Sequence, residues 1–324
     1  MEQKSVVTEE ELKKRALSEA GISYSVCAVL PVLFSLLLSI VILALSGGRE
    51  ENWYADRDWY KYLCFLIPQC CFAFAAFLFF KRSRMRIRSS YRGCKWYFFP
   101  LAAVLQFGLT FSLSELNEYF VRFLELFGYV RQSSVLPSLG GWNLLPALIV
   151  IAVLPAVLEE TIFRGIVTRQ MNDNGWGVYA SVLVCGALFS LFHHNPEQTI
   201  FQFFCGACFA LVAIRSGSVF PTMLSHFLNN AVILALSAAY APVYGEDFTM
   251  KQVLPAGGYV ALCAVAAVAL VAALGCLVFF GRRKEEKAFG VRYGKVFFLA
   301  ASVGIALCAI EWGIALISGF VKLP

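Results

Sequence analysis

The chain has 324 residues, of which 59% are hydrophobic and only 15% charged, with a formal net charge of +6. Soluble globular domains are about 45–50% apolar and about 25% charged, so this balance excludes a soluble domain and points to an integral membrane protein. The positive charge sits in loops between apolar runs, which excludes a nucleic-acid surface.

The first 22 residues are polar and charged and form a tail. The apolar run behind them is too long for the core of a secretory signal, so no cleavable leader is expected. A membrane-crossing helix needs about 20 mostly apolar residues. Candidate spans fall at 23–46, 60–80, 97–113, 143–163, 177–193, 199–215, 220–240, 258–281 and 295–318. These runs are continuous rather than alternating, which predicts helices and not a barrel. The expected fold is all-α: a polytopic transmembrane helical bundle of about nine spans. Ser114 to Gln132 mixes Leu, Phe and Glu at helical spacing. It reads as an interfacial helix or as an extension of the third span.

Lys and Arg are unevenly spread. The tail carries Lys4, Lys13, Lys14 and Arg15, and the loops "KRSRMRIRSSYRGCK" and "GRRKEEKAFGVRYGK" are strongly basic. The alternate loops "GGREENWYADRDW" and "APVYGEDF" are acidic. Basic loops stay in the cytosol, so a cytosolic N-terminus is expected, in a multi-pass protein embedded in lipid. Ten of the eleven cysteines lie in apolar runs, where they act as small hydrophobes. Cys205 and Cys208 have the spacing of a metal pair, but inside a span, and no metal or disulfide framework is expected.

Charges in the centre of a span cost roughly 2.5–3.5 kcal/mol each on insertion scales, yet "VLPAVLEETIFRGIV" places Glu159, Glu160 and Arg164 in or beside the fourth span. All three histidines of the chain, His193, His194 and His226, also lie in or at the ends of spans. Three patterns have the spacing of one helical turn: Glu160 with Arg164, Phe189 with His193, and His226 with Asn230. Residues four apart share a helix face, so Glu160 and Arg164 are placed to pair. Glu159 is rotated by about 100° from Glu160, which frees the two acids for different jobs. Counted from the turn at Gly175, Glu159 and His193 lie roughly 24 and 27 Å away at 1.5 Å per residue. An antiparallel hairpin therefore brings them to similar depth. His226 lies only about 13 Å into its span, and joins them only if the seventh helix starts deeper.

Such a cluster suits water activation, with a carboxylate as base and donors aimed at a developing oxyanion. Each pattern also has a plain structural reading: an i,i+4 ion pair, an interfacial histidine, and a hydrogen bond between helices. Glu311, beside Trp312, reads as a packing contact.

"EETIFR", "FSLFH" and "HFLNN" together resemble the signature of the CPBP family, the Abi or CAAX-protease-like intramembrane endopeptidases. The resemblance covers roughly Asn143 to Ala241. It implies an all-helical core with a glutamate-based protease site in a cavity reached from the cytosolic side, and no cofactor. It makes Glu159 the base and gives Glu160 and Arg164 the job of holding the site. His193 then orients water or substrate, His226 and Asn230 form an oxyanion hole, and His194 falls outside the pattern. The implied division is 1–142 for the tail and first three spans, 143–241 for the catalytic core and 242–324 for a C-terminal hairpin. Expected partners are membrane lipids and a membrane-associated peptide or protein, prenylated or bacteriocin-like, with no nucleic acid. The short tail and compact loops favour a bacterial cell membrane, where such proteins are linked to bacteriocin maturation or self-immunity. The rival readings are a zinc protease using His193, His226 and a glutamate, a non-catalytic immunity or scaffold protein, and a transporter.

Overall fold

The computed structural model describes residues 8–45, 53–83, 85, 87–132, 136–245, 248–281 and 287–321. Among them all regular structure is helical. The main helices are α1 (Glu9–Leu45), α2 (Asp58–Arg82), α3 (Phe98–Glu125), α4 (Gly141–Asp173), α5 (Val178–Phe192), α6 (Thr199–Ser216), α7 (Phe220–Tyr244), α8 (Ala256–Phe279) and α9 (Gly294–Phe320). Eight of them are long and apolar enough to cross a membrane; α5, with 15 residues, is not. The chain is an integral, multi-pass membrane protein.

Helices α1 and α3 run well past their expected spans and α4 continues ten residues beyond 163, whereas α5 keeps its expected place to within one residue at each end. Helix α1 begins well before its apolar run. Thr8 and Glu11 form a reciprocal cap, and Lys14–Glu10 and Arg15–Glu19 pairs continue the helix into the polar tail. Helix α3 runs on to Glu125, so the mixed segment after Ser114 is mainly an extension of the third span. Helix α5 is short because both ends are held inside the bundle. At its start, the amides of Gly177, Val178 and Tyr179 donate to the carbonyls of Gly290, Lys287 and Ala288. At its end the chain turns at His194, whose φ is +48°.

Helix α4 is not uniform. It widens into π-helical turns at Leu148–Val153 and again at Thr161–Thr168, a distortion that is frequent at functional sites. Pro155 supplies part of the cause. It has no N–H to give the carbonyl of Ile151, one turn back. Asn230 of α7 fills the vacancy, its Nδ2 donating to Ile151 O at 2.8 Å.

Helices meet through small residues, as expected where lipid leaves no hydrophobic drive between them. A Cβ on Gly206 of α6 would lie 2.9 Å from the Gly186 Cα of α5. One on Gly304 of α9 would lie 2.7 Å from the Ser25 Cα of α1, and one on Gly108 of α3 would lie 2.8 Å from the Leu270 Cα of α8. The last two helices thus have different principal partners: α8 packs on α3 and α9 on α1. The C-terminal pair flanks the core on separate helices instead of packing as a hairpin.

Hydrogen bonds sort the connections into two ends. At the end holding the start of α1, Arg92 Nε donates to Gly217 O and Arg215 Nε to Leu277 O. At the opposite end, Tyr129 OH and the Gln132 amide donate to Glu197 Oε1, and the Val130 amide donates to Gly319 O.

Candidate active site

Glu159 and Glu160 close the α-helical stretch Leu154–Glu160 of α4, and Arg164 lies in the π-helical turns after it. The two acids diverge as their rotation predicts. Glu160 is fully buried. Its Oε1 accepts from Arg164 Nη1 at 2.7 Å and from His226 Nδ1 at 2.9 Å. Arg164 is buried with it. Its Nη2 donates to Gly206 O at 3.2 Å, and its guanidinium carbon lies 4.3 Å from the centre of the Phe189 ring. Gly206 therefore has two jobs: it lets α5 and α6 approach, and it offers a carbonyl to the buried cation.

Glu159 faces the other way, into a cavity of about 1000 Å³. Its Oε1 accepts from Gln69 Nε2 of α2 at 3.1 Å, and its Oε2 lies 4.0 Å from His226 Nε2. His226 thus lies between the acids, its Nδ1 bonded to Glu160 and its Nε2 near Glu159 but beyond hydrogen-bond distance. A carboxylate only accepts, so the Nδ1 of His226 carries the proton toward Glu160.

His193 caps the end of α5, and its Nδ1 is 2.8 Å from the carbonyl of Phe189. A carbonyl also only accepts, which leaves the Nε2 lone pair of His193 as the acceptor. His193, His226, Glu159 and Asn230 all line the same cavity. The Phe189 ring sits between the histidines, with ring centres 4.6 Å from His193 and 6.0 Å from His226. Asn230 is held twice: its Nδ2 donates to Ile151 O and its Oδ1 accepts from Asn229 Nδ2 at 2.9 Å.

All six residues singled out from the sequence therefore belong to one constellation. Glu159, His193, His226 and Asn230 face the cavity, while Glu160 and Arg164 stand behind it. His194 is elsewhere: its Nε2 lies 3.1 Å from Glu311 Oε2, and neighbouring Trp312 donates to Thr199 Oγ1. The hydrogen bond that ties α9 to the segment after α5 is thus that of Trp312, and Glu311 packs against His194 without bonding to it. Cys205 lines the cavity and Cys208 is buried beside it. Among the described residues no group of three or more His, Cys, Asp or Glu is placed to hold a metal ion.

Residues 141–232 match the family model described as type II CAAX prenyl endopeptidase Rce1-like. The chain carries an Rce1-like domain. The match supports the CAAX-protease, or CPBP, class of membrane protease, and it contains every residue of the constellation. A search of curated proteins and of solved structures gave no match.

The Rce1-like domain does not complete its own site. Gln69 comes from α2 and Gln106 from α3, both outside the matched stretch. Gln106 Nε2 donates to Asn229 Oδ1 at 2.8 Å, so a chain of amides runs from α3 through Asn229 and Asn230 to α4. Sequence reasoning passed over these three residues. The signal was present, since Gln69 and Gln106 are lone polar residues inside apolar runs, and such residues commonly make contacts between helices.

His226 reaches the acids because α7 does start deep. Its first turn is covered by the segment Ser89 to Arg92, which folds over that end of the bundle. The Val219 amide donates to Ser90 O at 3.3 Å, Ser90 Oγ donates to Gly165 O at 2.8 Å, and Tyr91 bonds to Thr161.

Proposed function

We propose that the protein is an intramembrane endopeptidase of glutamic type, acting on a peptide bond of a membrane-associated or lipidated polypeptide. One observation carries the assignment of the base. Glu160 is committed to Arg164 and His226 and does not line the cavity, whereas Glu159 does.

Glu159 takes a proton from water held between its carboxylate and the free Nε2 of His193. The hydroxide attacks the peptide carbonyl carbon. Charge develops on the carbonyl oxygen, where His226 Nε2 and the remaining Nδ2 hydrogen of Asn230 are the available donors. For His226 to donate through Nε2 while Nδ1 stays on Glu160, the ring must be an imidazolium. The order Arg164, Glu160, His226, Glu159 then alternates in charge and sums to zero, which suits burial. When Glu159 becomes neutral, His226 loses one counter-charge as the oxyanion supplies another. Protonated Glu159 returns its proton to the leaving nitrogen as the C–N bond breaks.

The test compares purified wild type with Glu159→Gln, with and without a zinc chelator, on a peptide panel that includes a prenylated CAAX peptide. Glu159→Gln keeps an acceptor for Gln69, and a lost general base costs about 10²–10⁴-fold in rate. A wild-type level of cleavage by Glu159→Gln, or activity abolished by the chelator and restored by zinc, overturns the proposal.

A further inference from the structure

We propose that the cavity opens on the extracytoplasmic face of the membrane, so that the substrate presents its scissile bond in an extended, outward-facing segment. This deepens the protease reading and rests on it for the word substrate, though not for the direction of opening.

The direction follows from the lining. From Glu159, His193 and His226 the cavity wall leads past Gln202 and Asn117 to Asp58, Ser138, Thr249 and Tyr259. Every one of these mouth positions lies toward the end of the bundle opposite the start of α1. At the other end a small cavity of about 30 Å³ enters, past Ser90 and Gly217 to Arg164, and its lining does not include Glu159, His193 or His226. Ser90 and Tyr91 bond to Gly165 and Thr161 behind the acids, and Arg92 bonds to Gly217 at the turn into α7.

The two ends differ in charge. The closed end carries the basic tail and the loops around 81–95 and 281–295, which together hold most of the Lys and Arg of the chain. The open end is mixed in charge and far less basic: Asp56, Asp58, Glu115 and Glu118 line the mouth with Lys61, and Glu115 pairs with Lys251 and Glu118 with Arg131 and Arg122. Basic loops stay cytosolic, which places the closed end in the cytosol and the mouth outside.

The depth of the site narrows the substrate. Glu159 lies about 18 residues from the start of α4 at the open end, at most about 27 Å at 1.5 Å per residue. An extended chain at about 3.3 Å per residue needs roughly eight residues to reach it. A flexible tail of an exported or membrane-anchored polypeptide meets this; a folded domain does not.

The test is labelling by a membrane-impermeant maleimide in intact cells, or spheroplasts, producing the full chain. Gly140→Cys and Gly257→Cys place thiols at the open end, and Gly93→Cys places one in the basic loop. A Cβ at Gly140 or Gly93 meets nothing within 4 Å, and at Gly257 the same holds. Above the wild-type background, Gly140→Cys and Gly257→Cys are expected to label in intact cells, and Gly93→Cys only in inside-out vesicles. The reversed pattern, labelling of all three from outside, or of none, overturns the proposal once detergent-solubilised samples confirm that each thiol reacts. No turnover is needed, so a chain that labels as expected but cleaves no peptide sinks the protease reading and leaves the direction of access standing.

Discussion

Arg164→Met gives the sharpest test of how the site is held. In the wild type, Arg164 and Glu160 form a pair 2.7 Å apart with both side chains fully buried. The pair is not completely satisfied: among the described residues Arg164 Nε and Glu160 Oε2 have no hydrogen-bond partner. Methionine keeps much of the aliphatic stem but removes the guanidinium, which lies over the Phe189 and Phe209 rings. Removing one member of a buried pair costs about 3–5 kcal/mol, because the other charge is left behind. At about 2–4 °C per kcal/mol, Tm in mixed micelles falls by roughly 6–20 °C. Glu160→Gln in the same chain removes the orphaned charge while keeping an acceptor for His226 Nδ1. Replacing both members of such a pair is often close to neutral, so the double variant recovers most of the lost stability. The double variant stays inactive, since a glutamine at 160 no longer holds His226 Nδ1 against a carboxylate, and the single variant loses activity to the extent that Glu160 shifts without its guanidinium partner. The measurement is thermal unfolding of the four chains of this cycle, with peptide cleavage alongside. The reasoning is refuted if Arg164→Met melts with the wild type, or if the double variant is less stable than the single one.

Other outcomes follow from single contacts. Asn230→Leu strands the carbonyl that Pro155 leaves free, and Tm should report a loss of about 1–3 kcal/mol. Adding Pro155→Ala returns an N–H to that turn and should recover part of it; no recovery would mean that Asn230 does not act through Ile151. Gly206→Val pushes a branched side chain into Gly186, whose Cα would lie 2.9 Å from even the first added carbon. Overpacking typically costs about 1–3 kcal/mol or more, so a lower yield of folded protein by gel filtration is expected, and an unchanged yield would deny the close packing of α5 on α6. Gln69→Leu removes the donor to Glu159. Hydrogen bonds to charged groups contribute about 1.5–3 kcal/mol to stability, so Tm should fall, and kcat/KM should fall with it as the base loses a positioning contact; unchanged kinetics would exclude Gln69 from positioning the base.

Much of the site was legible because charges and histidines are rare in apolar helices. Glu159, Glu160 and Arg164 stand out in the fourth span by cost alone, and helical spacing correctly separates the acid that pairs from the acid that faces the cavity. The depth of His226 was not legible. It depends on Ser90 and Arg92, distant in sequence, folding over the turn at Gly217. The split role of Asn230 was hidden for a similar reason: its partner is a carbonyl freed by a proline on another helix, and no pattern within α7 records that. Nor does composition reveal that α5 is too short to cross alone. Its start is fixed by backbone bonds to Lys287, Ala288 and Gly290, which no side-chain pattern announces.

Two expectations drawn from the sequence exclude each other once the fold is known. Loop charge predicts a cytosolic N-terminus, and the family resemblance implies a cavity reached from the cytosol. Yet α4 enters the bundle from the end opposite the start of α1, and the cavity opens at that entering end. Tail and mouth therefore lie on different sides, and only one can be cytosolic. Keeping the mouth in the cytosol would require moving the tail and both strongly basic loops across the membrane. It would also leave the less basic connections inside, against the bias that sets orientation. The resemblance rests on residues around the acids, histidines and asparagine, which are common to either orientation. The chemistry of the site and the side from which it is reached are thus separate properties of this chain, the first written in α4 to α7 and the second in the loops that close one end.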